Sequence, residues 1–312
     1  MNLKIFLWGN VFNWVNRCYF MRFDVVTFGS AVIDAFVGTE QSGRNFEYKA
    51  GSKILVGDLK FDVGGGATNS AVAFARLGLK TGCVCKVGYD NNGDDVLRML
   101  KKERVKFLGK RVEGRTGYSV ILDSKGGART ILTYKGPGNS VKASDLPGFR
   151  AKWLYFSSVL GESYRTQEKL ARKMKKNGTR LAFNPSEYLI RGLDVQELLK
   201  LSDVVVLNKE EFDLVGKKYG RSLLDICSGV VVVTDKNRMI VCYDRGNKYS
   251  LKPNRVKVVE RTGAGDAFAS GFVAGYMVGW DIDKCLKLGL RESEAVIKYF
   301  GAKNNLLRMR LR

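Results

Sequence analysis

The stretch Val259-Glu260-Arg261-Thr262-Gly263-Ala264-Gly265-Asp266-Ala267-Phe268 sets a carboxylate behind two glycines and ahead of an apolar run. Gly263 and Gly265 free the backbone to turn successive N–H groups into one concavity. The run that follows, Ala267–Val278, reads as a helix, so exposed N–H groups and the positive end of a dipole lie there too. Such a concavity holds anions. Asp266 is a negative charge placed where a phosphate would be welcome. Its plainer role is a helix N-cap. Its chemical role would be to take the proton from an attacking hydroxyl while the amides hold a transferring phosphoryl group.

Three more segments could do related work. Gly64-Gly65-Gly66-Ala67-Thr68-Asn69 brings backbone close to something and puts Asn69 on the first turn of the next helix. An amide there both donates to and accepts from hydroxyl groups. The run is not GxGxxG, and the chain has no GxxxxGK[ST]. Asp34, in Gly29-Ser30-Ala31-Val32-Ile33-Asp34, follows the first strand, on the side where open α/β sheets bind ligands. In Asn208-Lys209-Glu210-Glu211, Asn208 and Glu211 share one face of a starting helix. The pair could hold a hydrated Mg²⁺ that keeps several waters, or be an ordinary acidic first turn. The chain has no His. His triads, His metal sites and imidazole shuttles are excluded, and acid–base work falls to Asp, Glu, Lys, Tyr or Cys.

These residues need a scaffold, and the pattern of the chain supplies one. Strand-like runs recur at Phe23–Gly29, Thr81–Val87, Lys152–Phe156, Arg180–Phe183, Asp203–Leu207 and Val230–Val233, with helical segments such as Ala67–Leu77 and Asp94–Lys102 between them. That alternation predicts an α/β fold with a mostly parallel sheet flanked by helices. Residues 35–62 and 113–133 break it. They carry β-type pieces, Lys53–Val56, Gly117–Leu122 and Arg129–Thr133, the last two joined by a Lys125-Gly126-Gly127 turn. A small β lid over the ligand side of the sheet is expected. Gly271 and Gly275 form GxxxG inside a short apolar stretch, which points to close helix-to-sheet packing rather than a membrane dimer.

Composition narrows the class. The 312 residues are 45% hydrophobic and 27% charged, the balance of a globular chain. Six Cys without a CxxC pair read as buried reduced thiols of a cytoplasmic protein. The net charge of +22 attracts anions, but its clusters, such as Arg172, Lys173, Lys175 and Lys176, lack interleaved aromatic residues. Specific nucleic-acid binding is not expected. Residues 1–20 are too interrupted by Asn10, Asn13, Asn16 and Arg17 to span a membrane. They read as an extension outside the fold, which restarts at Met21, or as a short interfacial helix carrying Trp8, Phe12 and Trp14.

Taken together, the segments resemble the ribokinase-like sugar kinases of the PfkB family, over about residues 21–307. The order of Asp34, the GG-x-x-x-N helix entry, Asn-x-x-Glu and GAGD carries the likeness, and GAGD is its specific part. The resemblance implies a ribokinase-like Rossmann-type domain over 21–312 with a β lid. It implies ATP-dependent phosphorylation of a sugar or sugar-like hydroxyl, with Asp266 as base and the amides of Gly263, Ala264 and Gly265 as anion hole. Asp34, Gly65, Gly66 and Asn69 would grip the acceptor. Asn184, Asn208, Thr234 and Lys236 would meet the nucleotide, and Glu211 with Asn208 would organise Mg²⁺ through water. The lid often also forms a dimer contact in this family, so a homodimer is a possible partner arrangement.

Three departures qualify the likeness. Glu260-Arg261 stands where the family commonly has Asp-Thr, which tells against activation by a monovalent cation. Asp235-Lys236-Asn237-Arg238-Met239 stands where glycines usually lie near the phosphates, so Lys236 would supply charge there. Ser157-Ser158-Val159-Leu160-Gly161 lacks the acid that ribose kinases place against the sugar. The alternatives are a nucleoside kinase of the same fold, a non-catalytic sugar or nucleotide binder, and an anionic-polymer binder.

Overall fold

A computed structural model describes residues 21–40, 47–124, 129–236 and 238–311. The expected extension over 1–20 and the Lys125-Gly126-Gly127 turn lie outside the described residues.

The strands of the first half are β1 (Met21–Phe28), β2 (Val32–Gly38), β3 (Asp58–Gly64), β4 (Thr81–Val84), β5 (Lys86–Gly88), β6 (Lys106–Phe107), β7 (Lys110–Val112), β8 (Gly117–Asp123) and β9 (Arg129–Tyr134). Those of the second half are β10 (Phe149–Ser157), β11 (Arg180–Asn184), β12 (Val204–Asn208), β13 (Val230–Thr234), β14 (Ile240–Asp244) and β15 (Asn247–Leu251). The helices are α1 (Gly66–Arg76), α2 (Asn91–Lys102), α3 (Gly161–Lys175), α4 (Glu187–Gly192), α5 (Gln196–Leu201), α6 (Lys209–Tyr219), α7 (Leu223–Ile226), α8 (Ala264–Met277) and α9 (Ile282–Val296).

One sheet runs β15-β14-β13-β12-β11-β10-β1-β4-β6. From β13 to β6 every pairing is parallel, and β14 turns the sheet antiparallel at one edge. Its central strands read as continuous β-branched or aromatic runs because both faces are covered. In β10 the two-residue period sends Leu154 and Phe156 into the core on one side, and Trp153 and Tyr155 into the core on the other. The cations gathered in the last turn of α3 pair outward, Arg172 with Glu197 and Lys175 with Asp203. They form a solvated face, as expected.

The lid is a separate sheet ordered β3-β2-β8-β9, antiparallel except for β2 beside β8. Three expectations need correction. Lys53–Val56 is not a strand; the pairing begins at Asp58. Asp34 is not at the end of a core strand: the chain leaves β1 at Phe28, and Asp34 sits within lid strand β2, opposite Asp62 and Ser119. Gly271 and Gly275 face α9 rather than the sheet, since a Cβ on Gly271 would lie 2.9 Å from the Gly289 Cα. The small residues let two helices close on each other, and α8 is held rigid from behind.

Candidate active site

Where the carboxyl ends of the parallel strands meet the lid, a cleft of about 520 Å³ opens. Its walls come from β2, β8 and β9 above, the β3–α1 entry on one flank, β10 to β13 below, and the turn before α8.

The turn is built as its sequence dictates. Gly263 is the N-cap of α8 with φ 80°, and a Cβ there would lie 2.5 Å from the Cβ of Ala302. Only glycine fits both demands. Glu260 orders the approach: its Oε1 accepts from the N–H groups of Arg261 and Thr262 at 2.7 and 2.8 Å. Arg129 of the lid donates to the same oxygen at 3.1 Å and to Thr262 Oγ1 at 2.9 Å. The departure at Glu260-Arg261 is therefore a self-contained brace that ties turn to lid. Asp266 lies in the first turn of α8, opening on the cleft while protein surrounds it elsewhere. Asn69 Nδ2 donates to Asp266 Oδ2 at 2.9 Å. Burial pushes the Asp266 carboxyl above its ordinary range, opposed by that bond and by the Lys303 charge.

Gly263, Gly265 and Asp266 line the cleft, as do Asp34, Gly65, Gly66 and Asn69. Gly66 N–H donates to Ser30 Oγ at 3.2 Å. Asp34 needs its glycine neighbour, for a Cβ on Gly64 would overlap the Asp34 carboxylate. Burial raises the Asp34 carboxyl to about 6, with Ser119 hydrogen-bonded to it. Two predicted residues fall outside this group. Ala264 does not line the cleft, and its N–H donates to Arg261 O at 3.2 Å, so that amide is spent within the turn. Lys236 lies beside the cleft in a neighbouring hollow with Lys209, Asp235, Arg238 and Arg261, ion-paired to Glu210 at 2.7 Å.

At the other end Asn184, Asn208, Thr234 and Glu211 line the same cleft. Asn184 Nδ2 donates to Val206 O at 2.6 Å. Asn208 and Glu211 form a reciprocal capping box on α6, each side chain accepting from the other's N–H at 2.8 Å. The helix-start role is thus real, and it occupies one oxygen of each. Replacing Asn208 by Ala should cost about 1 kcal/mol of stability, the usual worth of an N-cap, in a urea melt. Burial lifts the Glu211 carboxyl to about 7. Among the described residues no group of three or more acidic or thiol side chains could cage a metal ion. The donors present, a single carboxylate at Glu211 beside Asn208, fit a Mg²⁺ held mainly by water and phosphate rather than a protein cage.

Sequence reading missed Ser157, Ser186, Lys135 and Tyr188 on the walls, and Lys303 behind them. Among the described residues, the buried atoms Asn69 Oδ1, Ser157 Oγ and Ser186 Oγ have no hydrogen-bond partner. Buried atoms away from the cleft, such as Ser70 Oγ, Ser270 Oγ and Lys303 Nζ, also lack one, so it is their place on the cleft wall that makes these three candidates for a ligand's contacts. Lys303 is buried, with Nζ 3.7 Å from Asp62. Burial pushes its ammonium down while Asp62 and Asp34 pull it back up. A lysine in a polar C-terminal loop gives no sequence signal of that position.

The arrangement can hold an anion at the N–H groups of the turn and a hydroxyl compound against Asp34 and Asn69, with Asp266 between. Residues 22–308 match the description of the pfkB family carbohydrate kinases. A sugar kinase of Archaeoglobus fulgidus is 28% identical over 247 residues, covering 76% of this chain and 99% of the relative. The 5-dehydro-2-deoxygluconokinase of Clostridium perfringens is 28% identical over 299 residues, 86% and 85% of the two chains. The solved nucleoside kinase of Methanocaldococcus jannaschii, of the ribokinase family, superposes with a TM-score of 0.78 at 21% identity, over 91% of this chain and 95% of that one. That last likeness shows the ribokinase-like fold. Among the described residues no helix is long and apolar enough to cross a membrane.

Proposed function

Since the chain belongs to the pfkB family of carbohydrate kinases, we propose that it moves the γ-phosphoryl group of ATP to a primary hydroxyl of a sugar, with Asp266 as base. ATP-dependent phosphorylation of a sugar or nucleoside is the activity of its family. The residue roles are our reading. One observation carries them: the Asp266 carboxylate, fixed by Asn69 at 2.9 Å, shares a cleft with the free turn of Gly263 and Gly265 and with Asp34.

Asp34, Asn69 and the backbone of Gly65 and Gly66 hold the acceptor. Its hydroxyl donates to Asp266 and passes its proton there as the oxygen attacks the γ-phosphorus. The bond from that phosphorus to the β–γ bridging oxygen breaks, and ADP leaves. The N–H groups of Gly263 and Gly265, at the positive end of α8, stabilise the charge on the moving group. Asn184, Asn208 and Thr234 line the nucleotide's path, with Lys236 and Arg261 at its edge. Glu211 would hold Mg²⁺ through water, and the ion would neutralise phosphate charge. Glu260 and Arg129 brace the turn, and no monovalent cation enters the proposal.

A sugar is favoured over a nucleoside because Tyr188 is the aromatic side chain that lines the cleft among the described residues, and a base needs a stacking surface. The kinase domain is taken as 21–312, with 1–20 outside it. Exposed Leu59, Phe61 and Leu132 on the lid support a lid-to-lid homodimer. Buried unpaired Cys83, Cys85, Cys227, Cys242 and Cys285 support a cytoplasmic setting.

ADP release, followed with ATP against a panel of sugars, sugar phosphates and nucleosides, tests the reading. Turnover with a sugar or sugar derivative is expected, and turnover with nucleosides alone would replace it by the nucleoside-kinase alternative. Asp34→Ala should raise the KM of the acceptor about 10- to 100-fold, the worth of hydrogen bonds to a charged group, with the KM for ATP nearly unchanged. A larger effect on ATP would remove Asp34 from the acceptor wall.

A further inference from the structure

We propose that Lys135 selects an acceptor sugar carrying an anionic group, a carboxylate or a phosphate, at the end of the cleft bordered by Asp34. The inference rests on the kinase reading and adds the class of acceptor to it.

Lys135 follows β9, where the chain turns into the short helical segment Gly136–Asn139. Its carbonyl accepts from Gly138 N–H at 3.1 Å, so the backbone is fixed. The side chain lines the cleft with Asp34, Ser119, Thr133 and Ser157. Its Nζ lies 4.9 Å from the centre of the Tyr188 ring, and that ring is anchored by its hydroxyl donating to Ser158 O at 3.0 Å. The ammonium is thereby aimed and held.

Its contact is with the face of that ring and not with an opposite charge. Lys135 forms no ion pair among the described residues, although Asp34 is near enough for each to act on the other. Asp34 also has Lys303 on its protein side and Ser119 hydrogen-bonded to it. Lys135 is half-buried, and burial pushes its ammonium below the ordinary lysine range. A neutral sugar filling the cleft would strip more water from this cation and offer no counter-charge. A carboxylate or phosphate would give it a charge-assisted hydrogen bond, about twice as strong as a neutral one.

The test uses the purified full chain with ATP and a matched set of acceptors: a neutral hexose, the corresponding aldonate and the hexose monophosphate. ADP release should give a kcat/KM for one of the anionic acceptors at least tenfold above that for the neutral sugar. Whichever anion prevails identifies its source. Lys135→Met should lower that anionic-over-neutral ratio about 10- to 100-fold, through the KM of the anionic acceptor. Lys135→Arg should keep most of the ratio. Equal use of neutral and anionic sugars by the parent would overturn the proposal and leave the kinase reading standing. So would a Lys135→Met variant that loses kcat equally on every acceptor, which would put the cation on the moving phosphoryl group. ADP release with no acceptor of any class would overturn the kinase reading itself.

Discussion

Replacing Asp266 by Asn is expected to lower turnover about 10²–10⁴-fold, the range that general-base catalysis contributes. The substitution keeps the shape of the side chain and its position in the first turn of α8, but removes the basic oxygen. ATP binding, measured by titration, should survive, because the anion site is made of backbone N–H groups and the helix dipole. The pH dependence gives a second readout. Burial holds the Asp266 carboxyl above its ordinary range. The parent's rate should therefore fall on the acid side as that carboxylate takes up a proton. In the Asn variant the residual rate should lack this limb. An Asn variant with full turnover would remove Asp266 from the chemistry.

The second large effect concerns stability. Lys303→Met is expected to destabilise the fold by about 1–3 kcal/mol at pH 8, less than breaking a fully buried charged pair costs, because Asp62 keeps 21% of its side chain in solvent. The Lys303 ammonium is buried 3.7 Å from Asp62, and its field also reaches Asp34 and Asp266. Without it Asp34 and Asp62 still act on each other, and Asp266 stays buried, with less to balance them. The sign of the pH dependence follows. A carboxyl whose folded pKa lies above its unfolded one contributes stability that is full below the unfolded value and is lost as pH rises through the folded one. Asp34 already sits at about 6, against 3.8 for the free group. Loss of the lysine raises such values further, so the gap between variant and parent should widen from pH 5 to pH 8 in urea melts. A variant as stable as the parent at pH 8 would mean that the amine sits there uncharged.

Much of this was legible in the sequence for local reasons. The β-branched runs of β12 and β13 and the glycine-bounded helix starts are short-range signals, and they fix a parallel sheet with its ligand side at the strand ends. GAGD, the glycine run with Asn69, and Asn208 with Glu211 each occupy a strand-to-helix junction, so the fold that the pattern implies brings them to one cleft. What escaped depends on tertiary placement. Asp34 reads as the end of the first core strand because it follows that strand closely, whereas the chain leaves the sheet at Phe28 and enters the lid at Val32. Ala264 looked equivalent to its glycine neighbours, but the turn uses its N–H internally. Lys135 and Lys303 are ordinary basic residues in a chain of 53 Lys and Arg. Only the packing separates them from the solvated ones.

The account turns on where an acceptor's hydroxyl comes to rest. A crystal structure of the full chain with a non-hydrolysable ATP analogue and its best acceptor would locate it most directly. The reacting oxygen should lie within about 2.6–3.2 Å of Asp266, hydrogen-bond reach for a base. The terminal phosphate should rest on the N–H groups of Gly263 and Gly265. An acceptor bound elsewhere, with Asp266 still bonded to Asn69 alone and no phosphate at the turn, would contradict it.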